Sequence, residues 1–391
     1  MGKIVGYTGD EAIAEAAALC NPDVISAYPI TPQTIIVEHL SQMVADGKLD
    51  CEFVSVESEH SALTCTLAAS LTGARTFTAS ASQGILLMYE ILYVTANARA
   101  PIIMGVANRA LSGPINIHAE LTDMMVCRDA GWMEFFTSSA QAAYDNIIQA
   151  YRIAEDPEVL TPAMVGQDGF IISHALERVE PVDKKFIRDF LPDYKREYQL
   201  DPDRPITVGL LVLPDYYTES KYQQVKALEK AKQKIVEVGK EFGEQTGRYY
   251  GLIDTYEVED ADVTILTMGA FAGTARDVVT RLRAKGKKAG LIEVRTYRPF
   301  PGEELLSALD GTKSIIVFER SLAYGGLGSA LYTDVKALLY DVKERPALLG
   351  FVGGLGGRDL AIREFLNLFE RGFEAIGSEE PSRVEWIGLR E

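Results

Sequence analysis

The stretch EFVSVESEHSALTCTLAASLTGARTFTASASQGILLMYEILYVTANARAPIIMGVA, residues 52–107, decides the predicted fold. Its apolar runs EFVS, ARTFTASAS and PIIMGVA alternate with two segments long enough for helices, and the first of these ends at Gly73. Strands separated by helices of this length are typical of βαβ units, which build a parallel sheet. The sequence therefore predicts an α/β protein with a doubly wound parallel sheet.

The same alternation continues on both sides of this stretch. Upstream, GDEAIAEAAALC predicts a helix and VISAYPI a strand, and downstream TPAMVGQDG predicts a further strand. The pattern weakens between residues 180 and 205, and a long charged helix follows, before VTILTMGA, KAGLIEVRT and SIIVFER start a second α/β series. We expect two domains, residues 1–254, with a linker and long helix at 180–250, and a smaller domain at 255–391.

Composition limits the classes of partner. The chain has 391 residues, of which 39 are basic and 56 acidic, for a net charge of −17. Such a chain has no general attraction for phosphate backbones, so we expect no nucleic acid partner. No run of 18 apolar residues and no secretory signal is visible, so we expect no membrane span and a cytoplasmic protein.

Cysteine and glycine patterns favour structural roles. The four cysteines form no C-x-x-C pair, which argues against an iron–sulfur or zinc site built from this chain alone and predicts no metal ligands here. The clusters AYGGLGSA and GGLGGRD lack the strand–GxGxxG–helix arrangement of nucleotide sites. We expect these glycines to make tight turns and close contacts instead.

Three unusual segments follow predicted strands: YPITP after VISA, VESEH after EFVS, and NRALSGPINIHAE after PIIMGVA. In open parallel sheets, ligands bind outside the carboxyl ends of the strands. The three loops are therefore expected to line one cleft.

Each loop offers a candidate group and a simpler structural alternative. In the first loop, Pro29 and Pro32 hold Thr31 in a stiff segment, which either preorganises the hydroxyl or merely connects two elements. In the second, Glu57 and Glu59 lie at a helix start, so each is either a helix-end charge or a carboxylate aimed into the cleft.

The third loop begins with Arg109. Its guanidinium is suited to bind a carboxylate through two N–H donors, although a structural ion pair is the alternative. Four further polar residues of this loop are possible substrate contacts, and the sequence does not distinguish among them: Asn116, His118, Glu120 and Asp123.

Together these segments resemble, nearly end to end, the α subunit of the 2-oxoacid:ferredoxin oxidoreductases, in particular the pyruvate type. The resemblance rests on AYPITPQT, VESEHSAL, ASASQGILLMYE, NRALSGPINIHAELTDMMVCRDAGWMEF, PAMVGQDGFIISH, YGGLGS and GGLGGRD, in this order. It implies a thiamine pyrophosphate enzyme, with a first domain like the pyrimidine-binding domain of thiamine enzymes and a second like the transketolase C-terminal domain.

The resemblance also implies roles for the loop residues. Glu59 matches the carboxylate that hydrogen-bonds the aminopyrimidine ring, with Pro29 and Ile30 also at the cofactor. Thr31 and Arg109 match the residues that bind the carboxylate and oxo groups of a small 2-oxoacid.

Partners follow from what this chain lacks. No GDG motif for Mg²⁺ and pyrophosphate and no cluster-ligating cysteine set occurs. The resemblance therefore implies a β subunit that holds Mg²⁺, pyrophosphate and [4Fe-4S] clusters, a γ subunit, ferredoxin as electron acceptor and a dimer of heterotrimers. If the enzyme is of the pyruvate type, coenzyme A is the co-substrate.

Two alternatives stay open. The chain has HAELTD after INI, where pyruvate-type relatives carry a tryptophan- or aspartate-rich stretch, so an oxalate oxidoreductase that needs no coenzyme A is one alternative. The other is a non-catalytic assembly subunit that keeps the fold without the chemistry.

Overall fold

The computed structural model describes residues 3–378 and 383–390. The elements up to the end of the long helix are, in chain order, β1 (Val5–Tyr7), α1 (Gly9–Leu19), β2 (Val24–Ala27), α2 (Thr34–Ala45), β3 (Glu52–Ser55), α3 (Glu59–Leu71), β4 (Thr76–Ser80), α4 (Ser82–Leu87), α5 (Tyr89–Asn97), β5 (Ile103–Asn108), α6 (Thr122–Met125), β6 (Met133–Thr137), α7 (Ala140–Ala154), β7 (Ala163–Asp168), β8 (Glu177–Val179), α8 (Lys184–Phe190) and α9 (Pro214–Thr246).

The remaining elements are β9 (Ile253–Tyr256), β10 (Val263–Thr267), α10 (Phe271–Arg283), β11 (Ala289–Val294), β12 (Thr296–Arg298), α11 (Gly302–Ala308), β13 (Ser314–Glu319), α12 (Ala330–Leu338), β14 (Ala347–Val352), a 3₁₀ turn at Leu355–Gly357, α13 (Ile362–Glu374) and β15 (Val384–Trp386).

The first large sheet has the strand order β12-β6-β7-β5-β4-β2-β3 within the described residues. All neighbours are parallel except β12, which runs antiparallel to β6. One face is covered by α1, α2 and α7, whose apolar side chains form a buried cluster with the sheet. The opposite face is covered by α3, α4, α5 and α6, so the sheet is wound on both faces as predicted.

The second large sheet has the order β15-β14-β13-β10-β11-β9 in the described part of the chain. Its strands are parallel apart from β9, which pairs antiparallel with β11. Helices α10 and α13 bury one face. The other face shares a single apolar cluster with the first sheet, since Met104 of β5 and Leu266 of β10 belong to the same buried group.

The segment KAGLIEVRT, which the pattern predicts as one strand, is divided between the two sheets. β11 lies in the second sheet and β12 in the first, with Arg295 between them. The backbone N–H of Phe136 donates to the Arg295 carbonyl at 2.7 Å, which joins the crossing chain to β6. The two halves of the molecule therefore share strands as well as a core.

The long helix α9 covers 33 residues and connects the two halves. It begins at Pro214, whose missing N–H suits a first helical turn, and it ends at Gly247 with φ 75°, the left-handed geometry that favours glycine. Its buried side chains, among them Ile235 and Phe242, pack into the cluster that covers the first sheet. Within the described residues, no helix combines the length and apolar character needed to cross a membrane.

Candidate active site

The three predicted loops meet at one edge of the first sheet. β2 pairs with β3 so that Ala27 lies opposite Ser55, and β5 pairs with β7 so that Asn108 lies opposite Asp168. All four strands run parallel, so the loops that follow them leave from the same edge. The structure thereby places the segments of Thr31, Glu59 and Arg109 at the same edge of the sheet, where we expect them to line a cleft.

The first loop is tied down by a buried glutamine. The backbone N–H of Ile30 donates to Gln33 Oε1 at 3.2 Å, and Gln33 Nε2 donates to the Ala79 carbonyl at 2.6 Å. Pro29 and Thr31 are exposed, whereas Ile30 is half-buried. The loop thus presents Thr31 on a backbone that is anchored to β4.

Arg109 joins this loop to its own. Its Nη1 donates to the Thr31 carbonyl at 2.8 Å and its Nε to the Asn116 carbonyl at 3.2 Å. Burial lowers the pKa of Arg109, and no carboxylate lies within ion-pair distance in the part of the chain that the structure describes. The alternative of a structural ion pair is therefore not what the geometry shows, and the positive charge stays available to an anionic ligand.

Glu59 is the first residue of α3, after the N-cap Ser58. It is only 6% exposed, yet its carboxylate has no hydrogen bond or ion pair within residues 3–378 and 383–390. Beside it, the Ser80 hydroxyl is buried and also without a partner. Buried polar groups are almost always hydrogen-bonded, so this pair marks a place where a polar ligand belongs.

A glycine makes room for that pair. A β-carbon at Gly84 of α4 would lie 2.7 Å from Glu59 Oε1 and 2.4 Å from Ser80 Oγ. Only glycine therefore lets α4 approach the carboxylate so closely. The predicted residues were found from strand ends, whereas Gly84 gives no signal in the sequence, because its role depends on two other elements.

The neighbouring residues of the second loop have structural roles. Glu57 is exposed and accepts a hydrogen bond from the Ser61 hydroxyl, which lowers the pKa of Glu57. His60 lies 3.9 Å from Glu90 Oε2 at the surface. Of the two acids that the sequence offered, only Glu59 is buried in the cleft.

The third loop docks onto the second half of the chain. Asn116 Nδ2 donates to the Gly356 carbonyl at 3.2 Å, and the Gly357 N–H donates to the Ala119 carbonyl at 2.9 Å. A β-carbon at Gly357 would lie 2.5 Å from His118 Cβ, so the GGLGGRD cluster makes the close contact that the sequence predicts.

The polar residues of this loop differ in their surroundings. His118 is exposed and its ring contacts that of Phe170 at 4.9 Å between centroids. Burial raises the pKa of Glu120, and hydrogen bonds with Thr122 and Gly356 counteract part of that rise. Asp123 is fully buried beneath the loop and does not face the cleft.

A buried ion pair that sequence reasoning missed joins the two halves. Arg320 Nη1 donates to Asp168 Oδ2, and both side chains are almost completely buried. Asp168 Oδ1 also accepts the Ala270 N–H at 2.8 Å. The pairing partner lies 152 positions away, which no local pattern reveals.

The unpartnered Glu59 and Ser80 and the Gly84 cradle fit a flat heterocycle such as the aminopyrimidine of thiamine pyrophosphate. Glu59 can accept from a protonated ring nitrogen, and the missing β-carbon at Gly84 leaves the carboxylate undisplaced in its position. Among the described residues, no group of three or more His, Cys, Asp or Glu side chains is arranged to hold a metal ion.

The proteins to which this chain is similar belong to one family. Residues 15–240 match the family model for pyruvate flavodoxin/ferredoxin oxidoreductase, thiamine diphosphate-binding, and residues 261–365 match pyruvate:ferredoxin oxidoreductase core domain II. Pyruvate synthase subunit PorA of Methanothermobacter thermautotrophicus is 43% identical over 98% of this chain and 98% of the relative. Ketoisovalerate oxidoreductase subunit VorA of Pyrococcus horikoshii is 40% identical over 98% of this chain and 97% of the relative.

Two solved structures show the same fold. The 2-oxoglutarate:ferredoxin oxidoreductase from Magnetococcus marinus, with 2-oxoglutarate, coenzyme A and succinyl-CoA bound, aligns over 94% of this chain with a TM-score of 0.75 and 18% identity. This chain spans 65% of that chain's length. A split gene transketolase, described as an inactive beta4 tetramer, aligns over 95% of this chain and 100% of its own, with a TM-score of 0.56 and 14% identity.

These comparisons confirm the predicted fold class, a thiamine-binding domain followed by a transketolase C-terminal-like domain. The relatives are named as subunits of pyruvate and ketoisovalerate enzymes, so they do not favour the oxalate alternative, and their names indicate a multi-subunit complex. The chain belongs to the 2-oxoacid:ferredoxin oxidoreductases and is the α-type subunit of such a thiamine-dependent enzyme.

Proposed function

We propose that this chain supplies half of an active site that oxidatively decarboxylates a small 2-oxoacid, with pyruvate as the first candidate. Arg109 and Thr31 bind the substrate, and Glu59 holds the cofactor ring. When bound, thiamine pyrophosphate supplies the electron sink for decarboxylation. The relatives' names support pyruvate and also a branched 2-oxoacid such as ketoisovalerate.

The observation that carries the proposal is the unpartnered Glu59 carboxylate, 6% exposed, in the cradle formed at Gly84. A largely buried carboxylate that served only stability would have a hydrogen-bond or ion-pair partner inside the protein. Here the acceptor oxygen stays available to take and hold a proton from a bound ring. Pro29 and Ile30, on the anchored first loop, form the neighbouring cofactor contacts in this proposal.

Arg109 suits the substrate's carboxylate for an electrostatic reason. The two hydrogen bonds of its guanidinium go to the neutral carbonyls of Thr31 and Asn116, so neither cancels the positive charge. The same contact to Thr31 fixes the distance between the two loops. Both groups can then orient a 2-oxoacid before reaction, which lowers the entropic cost of the step.

The remaining parts come from partner subunits in this proposal. A β subunit holds Mg²⁺, the pyrophosphate and [4Fe-4S] clusters, a γ subunit completes a dimer of heterotrimers, and ferredoxin accepts the electrons. Support comes from the subunit names of the relatives and from the missing GDG motif and cysteine set. Coenzyme A as co-substrate and the cytoplasm as compartment stay predictions.

The test is a viologen-reduction assay of the native complex with pyruvate, ketoisovalerate, 2-oxoglutarate and oxalate, each with and without coenzyme A. The proposal predicts coenzyme A-dependent reduction with pyruvate or ketoisovalerate, abolished when thiamine pyrophosphate is removed. Equal turnover without the cofactor, or no turnover of any 2-oxoacid by an intact complex, would contradict it. The latter result would favour a non-catalytic assembly subunit.

A further inference from the structure

Asp123 accepts four hydrogen bonds from beneath the cleft. Its Oδ2 accepts the backbone N–H of Ser82 at 3.0 Å and of Arg109 at 2.9 Å. Its Oδ1 accepts Asn108 Nδ2 at 2.8 Å and the backbone N–H of Met124 at 2.9 Å. All four partners are donors, and the side chain is fully buried, so only an ionised carboxylate matches this environment.

Two of these donors, Arg109 and Ser82, belong to the two segments that we call the walls of the cleft, the loop after β5 and the start of α4. Arg109 carries the guanidinium that reaches the Thr31 carbonyl. Ser82 opens α4, the helix in which Gly84 lies against Glu59 Oε1. One carboxylate thus joins the backbone of the substrate arginine to the backbone of the cofactor cradle.

Ser82 needs such a restraint. Its φ is 49°, in the left-handed region that a serine adopts at a cost. The N–H bond to Asp123 and the donation of Ser82 Oγ to the Ala110 carbonyl at 2.6 Å hold it there. Without the carboxylate, the start of α4 would be free to relax, and Gly84 would move relative to Glu59.

Stability alone does not account for a carboxylate here. Asp123 has no ion-pair partner among the described residues, so its charge is buried without a countercharge. A neutral side chain of similar size avoids that cost, but no neutral side chain accepts four N–H groups at once.

We propose that Asp123 is a positioning residue that sets the spacing between Arg109 and the Glu59 cradle. The proposal rests on the proposed function, since it concerns the same site. It assigns Asp123 no contact with substrate, cofactor or reacting atoms.

The test is Asp123→Asn in the whole complex. Whichever way the asparagine amide turns, its NH₂ group faces two donors, either the Ser82 and Arg109 N–H groups or the Met124 N–H and the Asn108 amide, so the set of four bonds is broken. The KM for the 2-oxoacid is expected to rise at least about tenfold and kcat to fall as well. Asp145→Asn is the matched control, because Asp145 is equally buried but bonds Arg248 and Tyr250 away from the cleft. That control should change KM by less than about twofold.

The pH profile separates positioning from a general loss of stability. Burial raises the pKa of Asp123 to about 6, so the accepting form is lost as the pH falls through that value. The other charged or titratable groups near Asp123 are Arg109, Cys127 and Glu134. Burial raises the pKa of the Cys127 thiol, and burial raises the pKa of Glu134 to about 8. The acidic decline of kcat/KM should therefore be present in the wild type and absent in Asp123→Asn.

Ser82→Gly keeps the test decisive if Asp123→Asn fails to fold. Glycine tolerates the left-handed backbone but loosens the start of α4 and loses the bond to Ala110. We expect kcat to fall at least about threefold while KM for the 2-oxoacid changes less. The proposal is overturned if Ser82→Gly leaves kcat unchanged or if Asp123→Asn behaves like Asp145→Asn. A wild-type complex that turns over no 2-oxoacid would instead refute the proposed function.

Discussion

At the scale of single residues, the cleft depends on a side chain that is absent. Gly84 lies in a helix with its α-carbon facing Glu59 and Ser80, and a β-carbon there would collide with both. Glycine in a helix costs about 1 kcal/mol relative to alanine, so its presence in α4 is explained by the close approach of that helix to Glu59 and Ser80.

Gly84→Ala should therefore abolish most of the turnover while the protein stays folded. The added methyl displaces the Glu59 carboxylate, and we expect kcat/KM to fall by about 100-fold or more. Gly273→Ala is the matched control, since Gly273 also lies in a helix, α10, but has open space at its β-carbon. It should leave kcat/KM unchanged, and equal losses in both variants, measured by viologen reduction, would show that the cradle is not specific.

The sequence located part of this site for a clear reason. Thr31, Glu59 and Arg109 lie within four positions of the ends of β2, β3 and β5, so the rule for parallel sheets places them at one edge. Gly84, Asp168 and the buried role of Asp123 were not predictable, because each depends on contacts between elements distant in the sequence.

At the scale of elements, β12 has an unusual position. It follows β11 of the second sheet but pairs with β6 of the first, with Arg298 opposite Glu134. Apolar residues in KAGLIEVRT predict a strand, but they do not indicate to which sheet each part of it belongs. The sequence therefore predicts one strand where the structure has two. Glu134 is fully buried at this junction, and neither of its carboxylate oxygens has a hydrogen-bond partner.

Glu134 predicts a pH-dependent stability. Burial raises its pKa from 4.5 to about 8, so the native state holds a proton that the unfolded chain has released between these values. The free energy of unfolding should therefore fall as the pH rises from about 5 to 8, by up to about 1.4 kcal/mol per pH unit.

Glu134→Gln removes that titration and keeps the shape of the side chain. Urea unfolding of both proteins across this pH range should show the variant gaining stability relative to the wild type as the pH rises. A difference between the two proteins that does not change with pH would show that Glu134 is ionised in the native state.

At the scale of the whole molecule, the two halves act as one folded unit. They share an apolar cluster, the strand β12 and the buried pair Asp168–Arg320. The boundary expected near residue 255 stays a prediction for independent folding units, and β12 lies beyond it in sequence although it pairs in the first sheet. Asp168 is the last residue of β7, at the edge of the sheet where the candidate site lies. Its ion pair with Arg320 therefore connects the second half of the molecule to that edge.

Arg320→Met should be strongly destabilising, because it leaves the Asp168 charge buried without its partner. The expected loss is about 3–5 kcal/mol in the free energy of unfolding, measured by urea. Arg276→Met is the control, since Arg276 pairs with Asp254 at 2.6 Å but both side chains are over 40% exposed. That exposed pair should contribute at most about 1 kcal/mol, and similar losses in the two variants would contradict the supporting role of the buried pair.

The central claim is that Glu59 holds the cofactor in a shared 2-oxoacid:ferredoxin oxidoreductase site. Glu59→Gln and Glu57→Gln make the same chemical change two positions apart, one in the buried cradle and one at the exposed helix start. The decisive measurement is kcat for 2-oxoacid-dependent viologen reduction by each complex, with thiamine pyrophosphate in excess. The claim predicts a loss of about 100-fold or more for Glu59→Gln and less than about twofold for Glu57→Gln. Full turnover by the Glu59→Gln complex would contradict it.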